Sequence, residues 1–117
     1  MRAADRGHRI EVRDSDKRVR VSHDGVELAH TTRAKVLHES GLPPRYYIPR
    51  EDVTASLIPS DHHTTCPWKG KASYWSVRVG DNVLPNLIWY YPEAKDESAK
   101  IAGMLAFYDD KVQLEIS

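Results

Sequence analysis

The sequence has little cysteine, no net charge and no long apolar run, and each shortage narrows its chemistry. Cys66 is the only cysteine, so an intrachain disulfide is impossible and a zinc site built from several cysteines is excluded. Such sparing use of cysteine fits a reducing compartment. Lysine and arginine number 17 against 17 aspartate and glutamate, so no net field draws the chain to nucleic acid or an anionic membrane, and neither is expected as a partner. The first twenty residues carry Arg2, Arg6, Arg9, Arg13, Lys17, Arg18 and Arg20, but Asp5, Glu11, Asp14 and Asp16 are interleaved. That pattern reads as a solvated strand face rather than a phosphate-binding patch. No run approaches membrane-spanning length, and charges stand where a secretory leader would need its apolar stretch. The expected location is cytoplasmic. Internal repeats, low-complexity tracts and linkers are also absent. The chain is therefore expected to form one domain over residues 1–117, with 1–7 a flexible N-terminal extension. A chain of this length buries roughly two-thirds of its unfolded surface, enough for a core without staples.

What is present is alternation. Ile10 and Val12 alternate with Arg9, Glu11 and Arg13, and Val19 and Val21 alternate with Arg20 and Ser22. Period-two patterning marks half-buried strands. Asp24-Gly25 follows, ahead of Val26 and Leu28, and an Asp-Gly pair between alternating runs is a strong hairpin signal because it accepts positive φ. The stretch 30–39 would tolerate a helix but lacks a capping box, and a strand is expected. Gly41-Leu42-Pro43-Pro44 breaks it. Arg45 to Ile48 reads as a short aromatic strand stopped by Pro49, Arg50 to Val53 as one helical turn, and Leu57-Ile58 as a brief strand ended by Pro59. Ser60 to Lys69 is polar and turn-rich, and a loop is expected there. Ala72 to Val79 is a strand with Trp75, Val77 and Val79 on one face and Tyr74, Ser76 and Arg78 on the other. After a turn at Gly80-Asp81-Asn82, Leu87 to Tyr91 forms another strand. Glu93 to Lys100 supplies one or two helical turns. Leu105–Tyr108 and Val112–Ile116 are expected to pair as a hairpin. The class is all-β.

Chemistry concentrates around Cys66. Lys69 lies three residues on and His62 and His63 just upstream, and a nearby cation favours the thiolate, the form that attacks. Cys66 and Lys69 are thus the candidate catalytic pair, set against a small buried cysteine that merely fills space beside Pro67 and Trp68. His62, His63 and Cys66 lack a fourth ligand, and no metal is expected. Lys69-Gly70 is not a phosphate loop, because the upstream glycine and the following helix are missing. Ten aromatics (Tyr46, Tyr47, Trp68, Tyr74, Trp75, Trp89, Tyr90, Tyr91, Phe107, Tyr108) exceed what so small a core needs, and the surplus suits the walls of a ligand pocket.

The ordered series Arg45-Tyr46-Tyr47-Ile48-Pro49-Arg50-Glu51-Asp52-Val53, Thr65-Cys66-Pro67-Trp68-Lys69-Gly70, Tyr74-Trp75, Trp89-Tyr90-Tyr91-Pro92 and Ala106-Phe107-Tyr108 resembles the family called Domain of Unknown Function 427. The likeness runs from about Val19 to near the C-terminus. Trp68 stands where that family more often has tyrosine or phenylalanine. The resemblance implies a β-tent (Mss4-like) fold of two antiparallel sheets, with the structural zinc of other such folds absent and no cofactor expected. Nucleotidyl transfer has been ascribed to the family, but no carboxylate or glycine motif here supports it.

Three functions follow as expectations. The first is a small-molecule-binding domain with an aromatic pocket between sheets, using Tyr46, Tyr47, Trp75, Trp89 and Tyr91 as walls and Glu39, Arg50 and Lys69 as orienting charges. The second is an enzyme with Cys66 as nucleophile or redox thiol. The third is an interaction module using a sheet edge, and a homodimer through such an edge is compatible with it.

Overall fold

The computed structural model describes residues 8–117, so the expected extension over 1–7 lies outside the described residues. Among the described residues, ten strands form three antiparallel sheets. The mostly-β class holds, with three sheets rather than the two the resemblance implied. In the first, β1 (Ile10–Asp14) pairs with β4 (Lys35–Glu39), which pairs with β5 (Arg45–Tyr47). In the second, β2 (Val19–His23) lies between β3 (Val26–Thr31) and β10 (Gln113–Ile116). The third runs β6 (Ser56–Cys66), β7 (Gly70–Val79), β8 (Asn82–Tyr90), β9 (Ala106–Phe107). Asp24 and Gly25 both adopt positive φ, 49° and 79°, as a primed turn between β2 and β3 requires. The expected helical turns are short 3-10 segments at Arg50–Asp52 and Asp96–Ile101. No helix among the described residues is long and apolar enough to cross a membrane.

Two expectations are overturned. The segment from Ser60 onward is no loop: β6 continues through Pro59 to Cys66, pairing Pro59 with Trp75 and His63 to Cys66 with Ser73 to Gly70. It is an edge strand whose residues 61–65 are exposed. Such a strand needs no apolar alternation, and at an edge proline's missing N–H breaks no ladder bond. The second concerns the C-terminus, where β9 and β10 do not pair with each other. Ile88 and Trp89 of β8 pair with Phe107 and Ala106, while β10 crosses to β2 with Leu114 opposite Val21. Strand β8 also starts earlier than expected, at Asn82. It carries Pro85 and a bulge at Asn86 (φ 52°), whose N–H donates to Ser76 Oγ at 3.0 Å.

The four-stranded sheet divides the interior. On one face Val77, Leu87, Ile88 and Phe107 pack with Val19, Val21 and Leu28 of the second sheet. On the other, Ala72, Tyr74, Tyr91 and Ala106 pack with Val12, Leu37 and Tyr47 of the first sheet and with Ile101. The period of two does the sorting: Ala72 and Tyr74 turn to one cluster, and Trp75, Val77 and Val79 turn to the other. Ile48 and Leu105 exchange two backbone hydrogen bonds of 2.8 Å, tying the end of β5 to the entry of β9.

Candidate functional site

The second cluster is incompletely filled. A cavity of about 190 Å³ opens between β4, β5, β7 and β8. Its aromatic wall is Tyr47, Tyr74, Trp89, Tyr91 and Tyr108, its charged groups are Glu39, Lys69 and Arg45, and Leu42 and Pro43 stand at its edge.

Glu39 is the last residue of β4 and is only 9% exposed. Lys69 comes from the turn between β6 and β7 and is 8% exposed. The turn is fixed by Gly70. Its φ of 115° disfavours any side chain, and a Cβ there would sit 3.1 Å from the Glu93 carbonyl oxygen. The Lys95 N–H donates to the Lys69 carbonyl at 3.1 Å. Held this way, Lys69 Nζ donates to Glu39 Oε1 in a buried ion pair and lies 5.9 Å from the centre of the Tyr91 ring. Across the carboxylate, His8 Nε2 stands 3.2 Å from Glu39 Oε2. That approach is ionic in range but lacks hydrogen-bond alignment, since Nε2 has no directed partner among the described residues. The His8 ring stacks on Trp68 at 4.1 Å, so the β6–β7 turn and His8 together cover the acid.

The phenols form an ordered set. Trp89 Nε1 donates to Tyr47 Oη at 3.0 Å, with the two rings edge-on at 6.3 Å. The Tyr74 hydroxyl sits 2.9 Å from Thr64 Oγ1, and the Tyr108 ring packs on Trp89 at 4.7 Å. Burial pushes the Tyr47 hydroxyl up to about 12, only partly opposed by the bond from Trp89. Burial, reinforced by the neighbouring Tyr74 hydroxyl, pushes Tyr108 up to about 12 as well. Tyr91 is raised too, again by burial first and then by neighbouring Tyr47 and Cys66. At neutral pH all three keep their protons. Arg45 reaches the mouth, its guanidinium 6.0 Å from the Trp89 ring and its Nη1 donating to Asp109 at 3.1 Å.

Of the residues singled out in the sequence, Glu39, Tyr47, Lys69, Trp89 and Tyr91 lie on this one cavity. Tyr46, Arg50 and Trp75 lie elsewhere. Tyr46 packs against the first cluster and lines a separate hollow of about 20 Å³. Arg50 is exposed above the Trp75 ring at 5.6 Å, and Trp75 stacks on Tyr90 at 5.9 Å while packing against the first cluster. Cys66, at the end of β6, is half-buried against the second cluster but does not line the cavity. His62 packs on the Tyr74 ring at 4.7 Å and His63 bonds Ser73. No group of three or more His, Cys, Asp or Glu side chains suited to a metal gathers among the described residues. Sequence reasoning missed Tyr74, Tyr108 and Arg45 as wall residues. For Tyr74 a signal existed: alternation sets it on the face opposite Trp75, and Trp75 was the one selected.

Among curated proteins no match to the chain is found. The family described as Domain of unknown function (DUF427) matches residues 11–117, a span that holds every described cavity residue and nearly the whole chain, and the chain belongs to that family.

Proposed function

We propose that this domain binds a small organic molecule in the cavity beside the Lys69–Glu39 pair. One observation carries the reading: an aromatic-walled space of about 190 Å³ converges on a buried ion pair. Concave sites with apolar walls and a few fixed polar groups are the usual form of ligand pockets. A buried ion pair is, by contrast, a poor device for stability, because desolvation offsets most of the attraction. The sparing use of cysteine favours a reducing, cytoplasmic setting. Cys66 lies off the cavity wall, which leaves its thiol without a substrate-facing position in this reading.

A metabolite library screened by thermal shift tests the proposal. A true ligand is expected to raise Tm by about 4 °C or more at saturation, and to move the Trp89 indole resonance while leaving the methyls of Val77 and Ile88 unmoved. A library without hits, or hits that move only the Trp75 indole, would sink it.

A further inference from the structure

The hydrogen-bonding capacity of the cavity is unevenly spent. Among its acceptors, Glu39 Oε1 takes a proton of Lys69 and Tyr47 Oη accepts the Trp89 N–H, while Glu39 Oε2 lies 3.2 Å from His8 Nε2 without a hydrogen bond. Tyr74 is bonded to Thr64. The donors are not exhausted. A lysine ammonium has three protons, and Lys69 gives one of them to Glu39. Tyr47, having accepted from Trp89, still has its own proton to give. The Tyr91 hydroxyl has no hydrogen bond among the described residues, although the side chain is buried and lines the cavity. Arg45 adds a guanidinium at the mouth.

Resting on the pocket reading above, we infer that the ligand carries an anionic oxygen group, a carboxylate, on a small flat body. The carboxylate takes the remaining protons of Lys69 and the hydroxyl protons of Tyr47 and Tyr91, and the body lies against the aromatic wall of the cavity. A cationic ligand is disfavoured because the protein's own cations already occupy the aromatic faces: Lys69 lies over Tyr91 and Arg45 over Trp89. The negative charge of Glu39 does not repel the ligand outright, since Lys69 neutralises it and His8 stands on its other oxygen. Hydrogen bonds to an ionised acceptor are about twice as strong as neutral ones, which makes the head group the main source of discrimination.

Benzoate, benzamide and benzylamine share one ring and differ in the charge of the head group. Each is titrated into the full chain while the Trp89 indole resonance is followed. Benzoate is expected to bind about tenfold more tightly than benzamide, and benzylamine most weakly. Tyr91→Phe deletes one hydroxyl and keeps the ring; it is expected to weaken benzoate several-fold and to shrink its advantage over benzamide. Lys69→Met is expected to erase that advantage. Should Lys69→Met fail to fold with Glu39 stranded, Tyr91→Phe decides the matter. Equal or tighter binding of benzamide or benzylamine overturns the carboxylate inference and leaves the pocket standing, as does benzoate binding that Tyr91→Phe leaves untouched. Silence from all three compounds, where library hits do move Trp89, overturns the inference alone. Silence from compounds and library together overturns the pocket as well.

Discussion

The two faces of the four-stranded sheet are made by the same strands and end in different states. On the face toward β2 and β3, Val77, Leu87 and Ile88 are fully buried among Val19, Val21 and Leu28. Branched aliphatic side chains adjust to one another and carry nothing that needs a partner, although the buried Trp75 indole N–H packed against them has no hydrogen bond among the described residues. On the face toward β4 and β5, Tyr74, Trp89 and Tyr91 meet Tyr47 and Tyr108. Rigid rings tile less completely, and every buried hydroxyl or indole N–H must find a partner or a space that supplies one. The bonds between Trp89 and Tyr47 and between Tyr74 and Thr64 satisfy part of that demand. The rest faces the cavity. Alternation along β7 and β8 therefore sets a mainly aliphatic side against an aromatic side whose polar groups border a cavity.

The largest effect that tests this contrast comes from removing one member of the ion pair. Glu39→Ala leaves Lys69 as an uncompensated buried charge and is expected to cost about 4 kcal/mol in urea denaturation. Ile88→Ala on the other face leaves only a cavity and is expected to cost about 3 kcal/mol. If Glu39→Ala costs under about 1 kcal/mol, the range of solvated pairs, the contrast between the faces collapses.

Next comes alkaline pH, where the part of the stability loss that belongs to the aromatic face can be isolated by comparison with Tyr47→Phe. Tyr47 has an ordinary value of 10.0 and is raised to about 12 in the folded chain. A group whose folded value is raised contributes stability that is complete below the unfolded value and is lost as pH rises through the folded one. The Tyr47 contribution is thus intact below about pH 10 and gone near pH 12, a loss of about 2 to 3 kcal/mol. Urea titrations at intervals through that window should show a shallower decline for Tyr47→Phe than for the wild type. Parallel declines would mean that the Tyr47 hydroxyl is not held neutral by burial.

How much of this was legible in the sequence follows the same division. The mainly aliphatic side announces itself, since Val19 and Val21, Asp24-Gly25, and Trp75, Val77 and Val79 all carry local signals of alternation or turn. Strand β6 does not, because Asp61 to Thr65 form an exposed edge whose partner is β7 and whose own pattern is polar on both faces. A strand made by its neighbour leaves no period to read. The pairing of β10 with β2 joins opposite ends of the chain, whereas proximity in sequence favoured β9. The site was legible by composition and not by geometry. Glu39 and Lys69 were both singled out, but thirty residues separate them, and no spacing rule says that they meet. Arg50 and Trp75 looked equally suited to a pocket, and only the register of β7 sends Trp75 to the opposite face from Tyr74.

The smallest expected effect is the most discriminating. Replacing both members of the pair, as in Glu39→Leu with Lys69→Met, removes two buried charges at once and fills their space with aliphatic groups of similar size. Such exchanges are often neutral or stabilising, so denaturation is expected to place the double variant within about 1 kcal/mol of the wild type. The single Glu39→Ala change, by contrast, falls far below both. Benzoate binding in the double variant is expected to be lost, because the ammonium that receives the carboxylate is gone. A double variant as unstable as the single one would mean that the pair holds the β4 end against the β6–β7 turn, which would return the aromatic face to a structural role. A stable double variant that no longer binds separates the two roles. Stability then belongs to the aliphatic face, and the ion pair stays in the chain for what it does to a ligand.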